Sequence, residues 1–319
     1  MIKKYFFTVV FIFVTVVSFS AQSINNKVAT ITKYDDAMFW EINGWDREGN
    51  PSTIYVLGTF HAGDDRIYPL PEVILNAYAD SDRFVSEVAL SDWSRIIPET
   101  FSRQMISAQK EAKRVEETGK TLIEYFTSEE IDFLISVLGD EQTVNSLTMF
   151  EPWVLSSVLA SVSITQTSLD PEKGVDQFIL NKCIEDGNDV EGLEPLETQF
   201  DIITFGDWDT QLAMLKDVIK EYIEDPEKSI TNTKELYEAY LSADEDYFYE
   251  IFEETEEDDD AEYAEDYYNV IFLDRNTVWA DNFANYLLDG GTTFVFAGTG
   301  HFIGNDSVFN IMRKNKTLE

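Results

Sequence analysis

Two histidines, one cysteine and 23 lysines and arginines are all that this 319-residue chain holds of three kinds of residue that often carry chemistry or nucleic-acid affinity. The lone Cys183 rules out an intramolecular disulfide, so the fold must rest on its core. Against the 23 basic residues stand 61 acidic ones, a formal net charge of −38 that makes nucleic acid and anionic membrane surfaces poor partners. Solubility, or an extracellular or salty habitat, accounts for this acidity better than an acidic recognition role. The most acidic stretch, residues 244–266, lacks the alternating ligands and turn glycine of a calcium loop and reads as a solvated surface segment. Also missing are a Gly-x-Ser-x-Gly elbow, a phosphate-binding glycine loop, a dinucleotide fingerprint and a His-Glu-x-x-His zinc motif. A nucleophilic serine is therefore disfavoured, and any cofactor is expected to be a bare ion.

What is present begins with an export signal. Lys3 and Lys4 precede an apolar run over residues 5–17, and Ser18-Phe19-Ser20-Ala21 supplies small residues for cleavage. The run falls short of the roughly 20 residues of a transmembrane helix. No later stretch is long enough to cross a bilayer, so no stable membrane insertion is expected after cleavage. We expect residues 1–21 to be removed and residues 22–319 to form one domain, periplasmic or secreted. With 44% hydrophobic and 14% aromatic residues, that domain can bury a large core.

The organising feature is a figure used twice. Tyr55-Val56-Leu57-Gly58-Thr59-Phe60-His61 returns as Phe294-Val295-Phe296-Ala297-Gly298-Thr299-Gly300-His301, and these are the only two histidines. In each copy a strand-like run stops at a glycine, Gly58 or Gly298, and delivers an imidazole three residues later. Glycine permits a tight exit, and the histidine then stands past the sheet edge, where open α/β sheets bind ligands.

Around this figure the pattern is mixed α/β: a central sheet flanked by helices, with a helical insertion over the site. Phe39-Trp40-Glu41-Ile42 and residues 52–57 read as a hairpin joined through Asn43-Gly44. A short helix opening at Pro71 leads to a strand over residues 83–88, expected to pair in parallel with the first-histidine strand and so to bring Glu87 to the same edge as His61. Residues 93–170 read as mostly helical, including a Thr127-x-x-Glu130 capping box closed by Gly139. A helix over 174–184 ends at Gly187, a short strand ends at Glu194, and a helix over 270–288 carries Arg275 and Asn276.

Two neutral imidazoles and a carboxylate make a three-ligand set that leaves a coordination position for water, the pattern of a catalytic divalent-metal site. His61, Glu87 and His301 are the candidate ligands. Water on such an ion ionises near neutral pH and attacks amide or ester carbonyls. Arg275 is a candidate to hold a substrate carboxylate or a developing oxyanion, and Asn276 to orient the attacked carbonyl.

Together, Phe39-Trp40-Glu41-Ile42, residues 55–64, Tyr68-Pro69-Leu70-Pro71, Glu87, Gly174-Val175-Asp176, Gly192-Leu193-Glu194 with Gln199, Arg275-Asn276 and Gly298-Thr299-Gly300-His301 with Gly304 resemble the TraB/GumN family. That family is related to the Tiki metal-dependent proteases and, more distantly, to erythromycin-esterase-like and ChaN-like folds. The likeness spans nearly the whole chain after the signal. Its paired Gly-x-x-His motifs and strand-end glutamate correspond to His61, His301 and Glu87, and its arginine-asparagine pair to Arg275-Asn276. Trp279 stands where the family usually has methionine, and Pro195 replaces a commoner small polar residue. The resemblance implies a hydrolase, most simply a peptidase of secreted peptides or proteins, using manganese or cobalt, with zinc as a further option. It also leaves open a metal-free esterase-like hydrolase with a histidine base, and a non-enzymatic protein that binds peptides or pheromones.

Overall fold

The computed structural model describes residues 28–258 and 261–319, so the expected export signal lies outside the described residues. Strands form where aromatic and β-branched residues cluster. Thr30–Tyr34 (β1), Phe39–Trp45 (β2) and Pro51–Thr59 (β3) make an antiparallel meander, with Phe39 opposite Leu57. Arg83–Val88 (β4), Glu191–Glu194 (β5) and Gly291–Gly298 (β6) complete a six-stranded mixed sheet in the order β1-β2-β3-β6-β4-β5. β6 is parallel to both β3 and β4. Its continuous apolar run, Phe294 to Ala297, is buried throughout, as befits a strand covered on both faces.

The hairpin and the β4 strand form as expected, with three differences. β1 is an added edge strand. Asn43 and Gly44 lie inside β2, because the turn falls later, where Asp46 accepts the backbone N–H groups of Glu48 and Asn50. β3 and β4 are parallel but not neighbours, since the last strand in sequence enters between them.

Helices occupy most of the remainder. Glu72–Ala79 (α1) joins β3 to β4, and Trp93–Thr118 (α2) follows β4. Ser128–Leu138 (α3), Glu141–Leu147 (α4) and Pro152–Gln166 (α5) continue the helical stretch, α3 opened by the Thr127/Glu130 capping box and closed at Gly139. They pack with a later helix in a cluster of their own, however, and among the described residues only α2, of the helices expected over the site, lines the cleft at the strand ends. Val175–Asp186 (α6) ends on left-handed Gly187 and packs on β6. Leu196–Ile203 (α7), Trp208–Glu224 (α8), Lys228–Leu241 (α9), Glu245–Asp258 (α10) and Ala264–Tyr268 (α11) lead to a π-helical turn, Asn269–Leu273. Asp274–Asp289 (α12) follows without a break and lies across β2, β3 and β5, and Val308–Lys314 (α13) packs on it. The acidic stretch 244–266 thus begins as α10, and residues 259 and 260 within it lie outside the described residues.

Among the described residues, most buried hydrophobic side chains fall into two clusters. The larger one surrounds the sheet and includes Phe39, Ile54, Phe294, Trp279 and Phe283. The smaller joins Leu122, Leu134, Leu155, Leu159, Leu215 and Ile219 from α3, α5, α8 and the segment before α3. Four parallel strands, β3, β6, β4 and β5, end on one edge, and α2 and α7 beside them frame a cleft lined by His61 and Glu87.

Candidate functional site

Register brings the site together. Thr59 at the end of β3 pairs with Gly298 at the end of β6, Ser86 of β4 pairs with Phe296, and Val88 pairs with Glu194 at the end of β5. His61, Glu87, Glu194 and His301 therefore leave four strand ends at one level. Glycine is needed at both motif positions for space. Neither Gly58 nor Gly298 has a positive φ. A Cβ on Gly58 would come 2.8 Å from Thr299 Oγ1. A Cβ on Gly298 would occupy a hollow bounded by Glu87 Oε1 at 3.3 Å, His301 Cδ2 at 3.7 Å and His61 Nε2 at 3.8 Å.

His301 is 5% exposed and has both ring nitrogens engaged. Nδ1 lies 2.6 Å from Asn276 Oδ1, and Asn276 Nδ2 donates to the Asp306 carbonyl. The Arg275 guanidinium, which can only donate, reaches His301 Nε2 at 3.0 Å. The ring is therefore neutral with its proton on Nδ1. Burial, joined by the Arg275 charge, pushes its pKa down to about 3. Trp279 stacks on the ring at 4.2 Å between centroids.

Arg275 is the hub, 7% exposed. Nη2 donates to Glu87 at 2.8 Å, Nε to both oxygens of Glu194 at 2.8 and 3.1 Å, and Nη1 also to the Ile271 carbonyl within the π-helical turn. Gln199 bridges Glu87 and Glu194 through its Nε2, and Trp279 Nε1 donates to Glu194. Glu87 Oε1 accepts the Gly298 N–H at 2.9 Å. Burial alone would raise the Glu87 carboxyl, but positive charge on His301, which that ring carries only at acid pH, and the charges of Arg275 and His61 hold it down at about 2. Glu87 is thus ionised and partly committed. A buried ion network of this kind is strongly sensitive to loss of any one partner.

His61 differs from its counterpart. Its side chain is 68% open to solvent, and Nδ1 lies 3.4 Å from Asp176 Oδ1, longer than a well-formed hydrogen bond. Gly174 allows this approach: a Cβ there would stand 2.7 Å from the His61 carbonyl oxygen, and Val175 N–H donates to the Phe60 carbonyl. The Asp176 carboxylate beside it pulls the imidazole up to about 9 against its partial desolvation at the cleft floor, an effect the water around the exposed ring softens.

The expected residues therefore meet, in different states. His61 Nε2 and Glu87 face the cleft. Arg275 is held by acids rather than free for a substrate carboxylate, and Asn276 orients His301 rather than reaching the cleft. Three carboxylates, Glu87, Glu194 and Asp176, stand against one guanidinium, an excess of two negative charges when His61 is neutral. This donor chemistry suits a divalent ion at the Gly298 hollow, with His61 Nε2 and Glu87 as donors and His301 Nε2 joining only if Arg275 withdraws. In the arrangement observed, no group of three histidine, cysteine or acidic side chains among the described residues is set to hold a metal ion.

Asp176, Glu194, Gln199 and Trp279 are site residues that reading the sequence for chemistry did not single out. All four lie in or beside the segments that carry the family likeness, which was the available signal.

A family model described as TraB/PrgY/gumN matches residues 39–317. An uncharacterized protein of Treponema pallidum (strain Nichols) is 28% identical over 299 residues, covering 91% of this chain and 84% of its own. No solved structure matches. With its paired strand-end histidines, their glutamate and the arginine-asparagine pair inside the matched span, this chain belongs to the TraB/PrgY/gumN family.

Proposed function

We propose that the protein is an exported hydrolase of peptides whose reaction takes place at the hollow beside Gly298. One observation carries this reading: side chains from three separate strand ends, His61, Glu87 and His301, approach one point within 4 Å. The excess of carboxylates there favours a divalent cation, of manganese, cobalt or zinc type, held by His61, Glu87 and His301. Such an ion supplies a water that ionises near neutral pH. The chain's own groups do the rest. Asp176 orients His61 through Nδ1 and keeps Nε2 directed at the hollow. Asn276 fixes the His301 tautomer so that Nε2 carries the lone pair. Arg275 balances Glu87 and Glu194 and, when it releases His301, is placed to meet negative charge developing on a substrate carbonyl oxygen. Removal of residues 1–21 on export is part of the proposal, and amino-terminal sequencing of the mature protein tests it.

The Arg275 contact to His301 Nε2 favours a second reading, in which no metal is used and His61, oriented by Asp176, is the general base. Metal analysis with peptide cleavage separates the two. On the first reading, purified protein reloaded with manganese or cobalt holds about one ion per chain, the His61→Ala/His301→Ala variant holds none, and chelator abolishes cleavage reversibly. Chelator-resistant cleavage that dies in His61→Ala would move the assignment to the second. Peptide binding without product under any metal would leave a binding protein.

A further inference from the structure

We infer that the cleft beside His61 and Glu87 is an apolar subsite that seats one large aliphatic or aromatic side chain of an extended peptide. The inference rests on the reading of this edge as a peptide site and names what that site selects. The cleft encloses 280 Å³. That lies just below the roughly 300–1,000 Å³ of sites that engulf a whole small molecule, so it suits one side chain. Its walls are Trp93 and Ile96 of α2, Leu196, Phe200 and Ile203 of α7, and Phe296 of β6. Trp93 and Ile203 remain 38% and 46% exposed, so apolar surface stands open to water at the rim. No lysine or arginine lines the cleft, and an acidic side chain entering it would meet the like charge of Glu87 and Asp176.

Two further observations point to a peptide as the occupant. Thr59 lines the cleft with its hydroxyl buried, and Thr59 Oγ1 has no hydrogen-bond partner in the protein. A buried hydroxyl left this way is satisfied by a polar group from outside, and a peptide carbonyl or N–H beside the seated side chain is such a group. Apolar surface also continues along α2, where Ile97, Phe101 and Met105 repeat at four-residue spacing and are 80%, 64% and 46% exposed. The contact therefore extends past a single residue.

Blocked pentapeptides of glycine carrying leucine, phenylalanine, alanine, lysine or aspartate at the centre provide the test. Binding is measured by calorimetry on the His61→Ala protein, and cleavage by mass spectrometry on the wild type. The leucine and phenylalanine peptides should bind about tenfold or more tightly than the alanine and aspartate peptides. Ile96→Glu and Ile203→Glu, both at partly exposed positions, should each abolish that preference without weakening the lysine peptide. Equal binding of all five peptides, binding of none, or a preference that survives both substitutions overturns the inference. A preference in binding with no product in any condition keeps the subsite and refutes hydrolysis. Product formed without preference does the reverse.

Discussion

A methyl group added at Gly298 separates chemistry from folding. The backbone there has φ −52°, open to any residue, but the new Cβ would sit in the hollow 3.3 Å from Glu87 Oε1. We expect Gly298→Ala to lower the melting temperature little, by about 1 kcal/mol or less in stability. Peptide cleavage should fall at least about tenfold, the loss of about 1.4 kcal/mol of transition-state stabilisation. Thermal unfolding and initial rates on one preparation check both. The two imidazoles predict a second outcome. His301 is depressed to about 3, so its contribution to stability is complete above the ordinary imidazole value of 6.5 and is lost as pH falls toward 3. Glu87, held at about 2, adds a loss of the same sign below 4.5. His61 is raised to about 9, so its contribution is complete below 6.5 and fades as pH rises through 9. In metal-free protein the melting temperature should therefore peak near pH 6.5, and His61→Gln should flatten the alkaline limb while leaving the acid limb. The three principal side chains were legible because a doubled motif marked two of them and a strand end marked the third. Asp176, Glu194 and Gln199 were not, because a carboxylate among 61 acids acquires its role only from what the fold sets beside it.

Among elements, local chemistry was legible and long-range order was not. The Thr127/Glu130 box and left-handed Gly187 mark helix ends through contacts within one turn, and both stand where expected. Thr127→Ala should cost about 1 kcal/mol by orphaning the Glu130 N–H, with cleavage unchanged, since α3 contributes nothing to the cleft. Asn43-Gly44 carries turn composition yet lies in β2. Gly44 is there for close packing, as its missing Cβ faces Leu287 at 3.2 Å. The helix bearing Arg275 was expected from residue 270, but its first turn is π-helical, and the Ile271 carbonyl accepts from Arg275 there. No periodicity announces that shift, because it follows from where the guanidinium has to point. The entry of β6 between β3 and β4 was likewise invisible, since strand order is decided by pairing across more than two hundred residues.

At the scale of the whole molecule, charge dominates. A net charge of −38 repels itself across the surface, and the ion pairs of its few cations offset only part of this. Raising ionic strength from about 0.02 M to about 0.5 M shortens the screening length severalfold. It should raise the melting temperature by several degrees, about 1 kcal/mol of relieved repulsion, measurable by scanning calorimetry. If the proposed peptide function holds, the same field speeds capture of peptides with basic flanks at low salt, an advantage lost at high salt.

The placement of β6 also sets an order of events during synthesis. Until residues 291–298 have been made, the meander and the β4/β5 pair share no edge, and two of the strand ends that build the site have no central strand between them. His301 follows three residues later. A nascent chain therefore carries these strand ends without their central strand, and the cluster of His61, Glu87, Arg275 and His301 closes only once residue 301 has been added.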